Sequence, residues 1–249
     1  MTAALAGKVA AITGAEHGPS RGLALALAEA GAAIALLGDA HALAPLVADL
    51  EAADARAVAI GTEFESKEHT DRVFAQAADA LQGPIDLVVH GAVPALAYEP
   101  MDFVDLDDAR WEAIWESVMR TTLFVFQAGF AQMDGRGGRF LLITPTVSMS
   151  GAARLAPYVA VLEAQRVLAK SAARQWGASG ITVNCLAPAP EHVPIGVDSI
   201  TVSLAPPAFG GPGDVQRDLG PVAVFLAGDD AHFITGATFN LDGGVWMAP

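Results

Sequence analysis

The sequence predicts a single α/β domain, residues 1–249, with a doubly wound parallel sheet of about seven strands and helices on both faces. Short apolar runs rich in β-branched residues alternate with longer segments of helical periodicity along the whole chain. Such alternation is typical of parallel strands joined by right-handed helical crossovers. The length of 249 residues and the hydrophobic content of 53% also suit one large core.

The first half of the chain predicts four strands with three helices between them. Strands are expected at Lys8–Thr13, Ala33–Leu37, Arg56–Gly61 and Ile85–Val89, and helices at Arg21–Ala30, His41–Ala53 and Ser66–Leu81. A glycine-containing turn, Gly14–Ser20, opens the first helix. Ser66 is the expected N-cap of the third helix, because a serine hydroxyl there accepts a hydrogen bond from the first turn.

The second half continues the same alternation. It predicts a long helix at Asp105–Met133 with a candidate break at Thr121–Thr122, a strand at Phe140–Ile143, a helix at Pro157–Trp176, a strand at Ile181–Leu186, a helix at Val215–Leu226 and a last strand at Thr238–Leu241. The segment Pro188–Gly213 is rich in proline and glycine, so a substrate lid is not expected there. Tyr158 begins one face of its helix, because Leu162 and Gln165 follow at helical spacing.

Composition excludes several classes of protein. The net charge of −14 argues against a nucleic-acid partner, which needs clustered Lys and Arg. The chain contains no apolar run of eighteen residues and no basic segment followed by an apolar one at its start, so we expect no membrane span and a cytoplasmic protein. The single Cys185 is expected to be an inert core thiol, and the six His show no zinc-type spacing, so we expect no metal.

Three stretches resemble the short-chain dehydrogenase/reductase family over nearly the whole chain. They are TGAEHGPSRG from Thr13, LLITPTVSMSGAARLAPYVAVLEAQ from Leu141, and ITGATFNLDGG near the C-terminus. The 3-oxoacyl-ACP-reductase-like proteins are the members that the chain resembles. The resemblance implies a Rossmann-like fold and oxidoreductase chemistry with a nicotinamide cofactor. In this family a Tyr protonates the carbonyl oxygen as hydride arrives, a Ser donates a hydrogen bond to that oxygen, and a Lys lowers the pKa of the Tyr.

Only one of these three catalytic groups is present. Tyr158 occupies the tyrosine position, but Leu162 stands at the lysine position and Pro145 at the serine position. A phenol has a pKa of about 10 and is a poor proton shuttle without a neighbouring cation. Proline offers neither a hydroxyl nor a backbone N–H to a developing oxyanion. Tyr158 is therefore the sole candidate catalytic residue, and an ordinary buried tyrosine is the competing interpretation.

The glycine motif predicts a cofactor site that is altered in detail. Gly14 and Gly18 match the first two glycines of the family motif, while Ser20 replaces the third, which lets a pyrophosphate approach the helix. A serine is small, so it hinders a dinucleotide without excluding it. Glu16 adds negative charge beside the expected position of the pyrophosphate.

The residues expected around the adenosine half also depart from the family pattern. Gly38 stands at the ribose-binding acid position, and Asp39 follows it, where an acid would repel a 2′-phosphate. Glu63 stands at the adenine-contacting acid position, and Ala92 is retained in the motif after the fourth strand. Any bound cofactor should therefore be NAD, and binding of no cofactor is the alternative.

The departures concentrate at the site while the scaffold motifs survive, which favours three hypotheses in this order. The first is a non-catalytic or weakly active subunit of a homotetramer, or of a hetero-oligomer with an active relative. The second is an NAD(H)-dependent oxidoreductase acting on a hydroxyl or ketone, in which Tyr158 works with Ser148, Ser150 or His90. The third is a non-redox lyase that keeps Tyr158. The expected interface uses the apolar helix Asp105–Met133 and the helix after Tyr158, with the C-terminal strand as a second contact.

Overall fold

The structure is a computed structural model that describes residues 3–194 and 205–247. Within these ranges, seven strands form one sheet: β1 (Val9–Thr13), β2 (Ala33–Gly38), β3 (Ala57–Gly61), β4 (Leu87–His90), β5 (Gly138–Ile143), β6 (Ile181–Pro188) and β7 (Thr238–Leu241). The strand order is β3-β2-β1-β4-β5-β6-β7, and every neighbouring pair is parallel. The predicted doubly wound α/β fold is confirmed.

Helices connect these strands on both faces of the sheet. They are α1 (Pro19–Glu29), α2 (Ala40–Ala52), α3 (Lys67–Ala80), α4 (Asp108–Met133), α5 (Val147–Ser150), α6 (Ala156–Trp176) and α7 (Gly220–Ala227). The predicted N-cap of α3 is confirmed, because the Ser66 hydroxyl accepts from the backbone N–H of His69 at 3.1 Å. Helix α1 begins at Pro19, two residues before the predicted start, since proline suits the first helical turn. The short helix α5 was not predicted.

Apolar side chains fill both faces of the sheet, which explains why the strands read as nearly continuous apolar runs. One core lies between the sheet and helices α3, α4 and α6, and it contains Phe74 and Phe126. The other lies between the sheet and helices α1, α2 and α7, and it contains Leu27, Leu46 and Leu226. The two cores hold the strand ends in fixed relative positions.

Helix α4 is continuous through the predicted break at Thr121–Thr122, so that prediction is wrong. The hydroxyl of Thr122 donates to the carbonyl oxygen of Val118, one turn earlier, at 2.7 Å. A threonine that bonds back in this way remains compatible with helical geometry. Thr122 is fully buried, and its hydroxyl oxygen also lies within hydrogen-bond distance of His90 on β4 and Gln165 on α6.

The part of the chain after β6 differs in detail from the prediction. Residues 195–204 of the segment expected to lack a substrate lid lie outside the described residues. A single π-helical turn, Val215–Leu219, precedes α7, so the α-helix itself starts at Gly220.

Burial raises the pKa of the Cys185 thiol to about 11, which keeps it protonated at neutral pH. In residues 3–194 and 205–247, no helix has the length and apolar content needed to cross a membrane.

The strand order places the switch point of the sheet between β1 and β4. Strands β1 and β4 are neighbours, with Thr13 opposite His90, and the chain leaves their carboxyl ends toward opposite sides. In open parallel sheets, ligands bind in the crevice outside the carboxyl ends of the strands at this switch point. The candidate site is therefore built from the loops that follow β1, β2, β3, β4 and β5.

Candidate functional site

A buried hydrogen-bond network lies beneath the crevice and joins four elements. Thr13 Oγ1 at the end of β1 lies 2.8 Å from His90 Nδ1 at the end of β4. His90 Nε2 lies 3.0 Å from Thr122 Oγ1 on α4, and Gln165 Nε2 on α6 donates to the same oxygen at 2.7 Å. All four side chains are buried. The network locks the two central strands onto helices α4 and α6.

The geometry of this network determines the tautomer of His90. The single hydroxyl proton of Thr122 is donated to Val118 O, so Thr122 Oγ1 must accept from His90 Nε2. The ring proton therefore lies on Nε2, and Nδ1 accepts from the Thr13 hydroxyl. Burial lowers the pKa of His90 from 6.5 to about 4, so the ring is neutral at pH 7. With both nitrogens engaged, His90 cannot serve as the proton-transfer partner proposed for it.

The loop after β1 packs directly on the loop after β4. Gly14 has φ 71°, and a Cβ placed on it would lie 2.5 Å from the backbone carbonyl of Gly91. Only glycine fits there, as the motif predicts. Ser20 is 2% exposed, and a Cβ placed on Gly91 would lie 2.5 Å from Ser20 Oγ. The side chain that Ser20 adds thus occupies space that Gly91 leaves free.

The space beside Tyr158 is almost completely filled. The ring of Tyr98, on the short helical turn Ala95–Tyr98 after β4, lies 5.1 Å from that of Tyr158, centroid to centroid. Leu162 is fully buried, and Pro145 also lines the space. Among the described residues, the free volume enclosed here is about 10 Å³. That is barely enough for one water molecule, so a nicotinamide ring does not fit these residues.

The chemistry of Tyr158 is unfavourable for proton transfer in either direction. Burial raises the pKa of the Tyr158 hydroxyl well above 10, and the nearby Tyr98 raises it further. A tyrosine that donates its proton to an alkoxide becomes a phenolate, and this environment opposes that charge. Leu162 provides no cation where the family motif places a lysine. The Tyr158 hydroxyl is therefore held in its neutral form.

The serine helpers expected near Tyr158 are engaged elsewhere. The hydroxyl of Ser148, on α5, donates to Glu163 Oε1 at 2.9 Å, and Glu163 forms an ion pair with Arg166. The hydroxyl of Ser150 donates to the backbone carbonyl oxygens of Val147 and Gly151. Neither serine lines the space beside Tyr158.

A second cavity, which we call the acidic cavity, opens on the other side of the crevice, toward β2 and β3. Its volume is about 340 Å³, within the range of small-molecule sites. Its lining includes three of the residues predicted to bind the adenosine half of a cofactor, together with the first glycine of the motif: Gly14, Asp39, Glu63 and Ala92. The other predicted site residues, Gly18, Ser20 and Tyr158, line the nearly filled space beside Tyr158, which we call the closed space.

The acidic cavity contains an arrangement that motif reading did not predict. Glu16 Oε1 accepts a hydrogen bond from the backbone N–H of Asp39 at 2.9 Å. A Cβ placed on Gly38 would overlap this same oxygen. The Glu16 carboxylate thus fills the space that a side chain at position 38 would occupy, and Gly38 leaves that space free. The Asp39 carboxylate caps α2 by accepting from the backbone N–H groups of His41 and Ala42.

Sequence reasoning missed Tyr98, because it lies in a loop without periodicity or a motif. The sequence shows only a tyrosine a few residues after the β4 motif, and the structure shows that its ring is half-buried. No cluster of three or more His, Cys, Asp or Glu able to hold a metal ion occurs in residues 3–194 and 205–247.

Comparison with known proteins shows relatives along the whole chain. The family model described as enoyl-(acyl carrier protein) reductase matches residues 14–246. A sorbitol dehydrogenase of Cereibacter sphaeroides is 30% identical, over 98% of this chain and 99% of that one. The (2S)-[(R)-hydroxy(phenyl)methyl]succinyl-CoA dehydrogenase subunit BbsD of Thauera aromatica is 29% identical, over 95% and 96%. The crystal structure of a dehydrogenase/reductase from Sinorhizobium meliloti 1021 is similar with a TM-score of 0.85 at 27% identity, covering 99% and 98%.

Proposed function

Because the chain belongs to the short-chain dehydrogenase/reductase family, we propose that it is a member with a degraded active site. It acts as a non-catalytic or weakly active subunit of a homo-oligomer, or of a hetero-oligomer with an active relative. The observation that carries this proposal is the closed space of about 10 Å³ beside Tyr158. Hydride transfer requires a nicotinamide ring and a carbonyl group side by side, and neither has room there.

The residues around Tyr158 support the same conclusion on chemical grounds. General acid catalysis is most efficient when the pKa of the acid lies near the working pH, and burial moves that of Tyr158 away from it. Pro145 leaves the substrate oxygen without a hydrogen-bond donor, and Leu162 leaves the phenol without a cation. The three positions act together in this family's chemistry, so the loss of two removes more than each would alone.

The role as a subunit is supported by apolar side chains on the outer surface of helices α4 and α6. Trp111 and Trp115 are 37% and 40% exposed on α4, and their rings stack with centroids 6.0 Å apart. Leu123 is 44% exposed two turns further along α4, and Val167 is 58% exposed on α6. Exposed apolar side chains of this size are typical of protein interfaces. The relative BbsD is itself named as a dehydrogenase subunit.

Cofactor preference follows from the charges in the acidic cavity. Glu16, Asp39 and Glu63 place three carboxylates around it. A 2′-phosphate would meet like charge there at close range. If the chain holds a dinucleotide at all, that dinucleotide is therefore NAD and it is held weakly.

A second candidate function is an NAD(H)-dependent oxidoreductase acting on a hydroxyl or ketone. The observation that favours it is the name of the relative from Cereibacter sphaeroides, a sorbitol dehydrogenase. This candidate requires the space beside Tyr158 to open and a new partner to activate the phenol. Ser148 and His90 are already engaged, so the first candidate is the stronger one.

Three measurements with the purified chain test the proposal. Light scattering at micromolar concentration should give the mass of a dimer or a tetramer, and a monomer would contradict the role as a self-associating subunit. A monomeric chain that forms a defined complex with a purified, motif-complete relative would select the hetero-oligomer instead. Ketone reduction with NADH by the chain alone should remain far below ordinary enzyme rates.

A further inference from the structure

We propose that another cavity, at the amino ends of the strands, binds a monocarboxylate that carries several hydroxyl groups, that is, a sugar acid. This cavity, which we call the basal cavity, has a volume of about 540 Å³, within the range of small-molecule sites. Its charged and hydroxyl-bearing lining residues are Lys8, Asp86, Arg136, Arg139, Ser179 and Asp229. None of these six lines the acidic cavity or the closed space, so this inference goes beyond the proposed function and does not depend on it.

The parallel sheet brings these side chains together at the end opposite the crevice. Lys8 directly precedes β1, Asp86 directly precedes β4, and Arg139 is the second residue of β5. The register of β1, β4 and β5 aligns the starts of the three strands. Thr13, at the crevice end of β1, lies about 13 Å from the start of that strand, at roughly 3.3 Å per residue. The basal cavity is therefore a separate site.

Backbone carbonyl oxygens hold two arginine side chains at the basal cavity. Arg136 Nη2 donates to the carbonyl oxygens of Ile85 at 3.2 Å and Gln132 at 2.9 Å. Arg139 Nη1 donates to the carbonyl oxygen of Gly138 at 3.0 Å, and the arginine side chain is mostly buried. These bonds fix both guanidinium groups without cancelling their charge. A ligand that uses this charge therefore does not have to order the side chains first.

Lys8 adds a cation whose donors are free. Among residues 3–194 and 205–247, no side chain or carbonyl oxygen accepts a hydrogen bond from Lys8 Nζ. Arg136 Nη1 also has donor capacity to spare, because its contact with Asp86 Oδ1 is long, at 3.5 Å. Charged N–H groups of this kind form strong hydrogen bonds with a carboxylate. Lys8 and Arg136 are therefore the expected partners of the ligand's carboxylate.

The balance of charge selects a ligand with a single negative charge and several hydrogen-bond donors. Three cations and two carboxylates, Asp86 and Asp229, give the lining a net charge of +1. A monocarboxylate neutralises this charge, whereas a second negative charge would exceed it. Asp86 Oδ2 accepts from the backbone N–H of Val9 at 3.0 Å, but each carboxylate oxygen can accept more than one hydrogen bond. Hydroxyl groups on the ligand supply these donors.

A hydrocarbon body fits the basal cavity poorly. Leu5 and Leu87, the largest apolar residues of the lining, are 1% and 3% exposed and offer little surface. Ser179 adds a hydroxyl, which both donates and accepts. A Cβ placed on Gly135 would meet nothing within 4 Å, so the cavity is open at this loop. A carbon chain with a hydroxyl on each carbon matches this lining better than an alkyl chain does.

The test is calorimetry of the full purified chain at low ionic strength with gluconate, gluconamide, hexanoate and inorganic phosphate. Gluconate should bind with a Kd on the order of 1 mM, as small ligands do in partly open sites. Gluconamide lacks only the charge and hexanoate lacks only the hydroxyl groups, so each should bind at least about tenfold more weakly. Phosphate should also bind more weakly. No heat from gluconate at roughly 20 mM, or binding of any other probe as tight as that of gluconate, would overturn the proposal.

Charge variants assign the binding to the basal cavity. Lys8→Gln should weaken gluconate about tenfold and leave gluconamide unchanged, because only the charge is lost. Lys170→Gln makes the same change at an exposed position of α6 outside the cavity, and it should bind like the wild type.

Ala178→Glu is an independent second variant, since it adds a negative charge at an exposed position of the lining. It should also weaken gluconate at least about tenfold, so the assignment stays testable if Lys8→Gln does not fold. Wild-type affinity for gluconate in either folded variant would reject the assignment. These results do not depend on ketone turnover or on the mass in solution, which test the proposed function.

Discussion

The ring of Tyr98 lies 5.1 Å from the ring of Tyr158, centroid to centroid, with the two planes tilted by 57°. This contact closes the crevice at the position where the family's chemistry takes place. Tyr98 also makes an edge contact with His17 at 6.0 Å, so it bridges the loops after β1 and β4 to helix α6. An aromatic cluster of this kind contributes packing energy beyond simple burial.

Tyr98→Ala should therefore destabilise the protein and open the crevice without creating activity. We expect a loss of about 2 kcal/mol or more in the free energy of unfolding, because a large, mostly buried ring is removed. Urea denaturation measures this. Tyr98→Phe keeps the ring and is the control, with a loss below about 1 kcal/mol. Rapid ketone reduction by Tyr98→Ala would show that the crevice needed only to be opened.

The buried His90 should make stability depend on pH. Burial lowers its pKa from 6.5 to about 4 in the folded chain, so the unfolded chain binds more protons between these values. The unfolding free energy should therefore be fully retained above about pH 6.5 and fall by about 3 kcal/mol on going down to pH 4. Urea denaturation across this range, with His90→Gln for comparison, isolates the effect. A wild-type profile that runs parallel to that of the variant would contradict it.

Sequence periodicity accounts for the strands and most helices, since the central strands β1, β4 and β6 and their neighbour β2 are buried along their whole length and appear in the sequence as apolar runs. Motif spacing also brings Tyr158, Leu162 and Pro145 to the same space, where the structure has them. The closure by Tyr98 could not be predicted from periodicity, because it depends on the path of a loop. The same holds for the contact between Glu16 and the end of β2, which joins two loops 23 residues apart.

The wrongly predicted break in α4 shows where local helix propensity fails. Two consecutive threonines weaken a helix by local propensity, but the hydroxyl of Thr122 is satisfied by three partners that local sequence does not reveal. These are Val118 one turn earlier, His90 on β4 and Gln165 on α6. Tertiary hydrogen bonds therefore outweigh the local preference.

Ser20 and Gly91 should be energetically coupled, because one fills the space that the other leaves open. Gly91→Ala alone should cost about 1–3 kcal/mol through overpacking against Ser20 Oγ. In the Ser20→Gly background the same change should cost at least about 1 kcal/mol less. A double-mutant cycle by urea denaturation measures the coupling. If the losses in unfolding free energy of the two single variants add up to that of the double variant, the two residues do not compete for space.

The apolar surface of α4 should mediate association. Trp115→Glu places a charge between exposed apolar groups and should shift the protein to smaller species at micromolar concentration, measured by light scattering. Ala75→Glu adds the same charge to an exposed position on α3 and should leave the mass unchanged. Equal masses for the wild type and Trp115→Glu would place the interface elsewhere.

Restoring chemistry should require several changes together. Leu162→Lys alone should destabilise the fold, because Leu162 is fully buried and a lysine there would lack a partner. The volume-conserving change Leu162→Met is its control and should cost less than about 1.5 kcal/mol. The combined variant Leu162→Lys, Pro145→Ser and Ser20→Gly, with Tyr98→Ala to open the crevice, is the smallest set expected to show NADH-dependent turnover. Turnover by Leu162→Lys alone would contradict the proposed cooperation of these positions.

The most direct test of the central claim is the rate at which the unmodified, purified chain reduces a panel of ketones with NADH, compared with Tyr158→Phe. A closed crevice and a Tyr158 pKa raised by burial predict that both proteins stay far below about 1 per second, the lower end of ordinary enzyme rates. Turnover at about 1 per second or faster by the unmodified chain, abolished in Tyr158→Phe, would show instead that the protein is a working oxidoreductase.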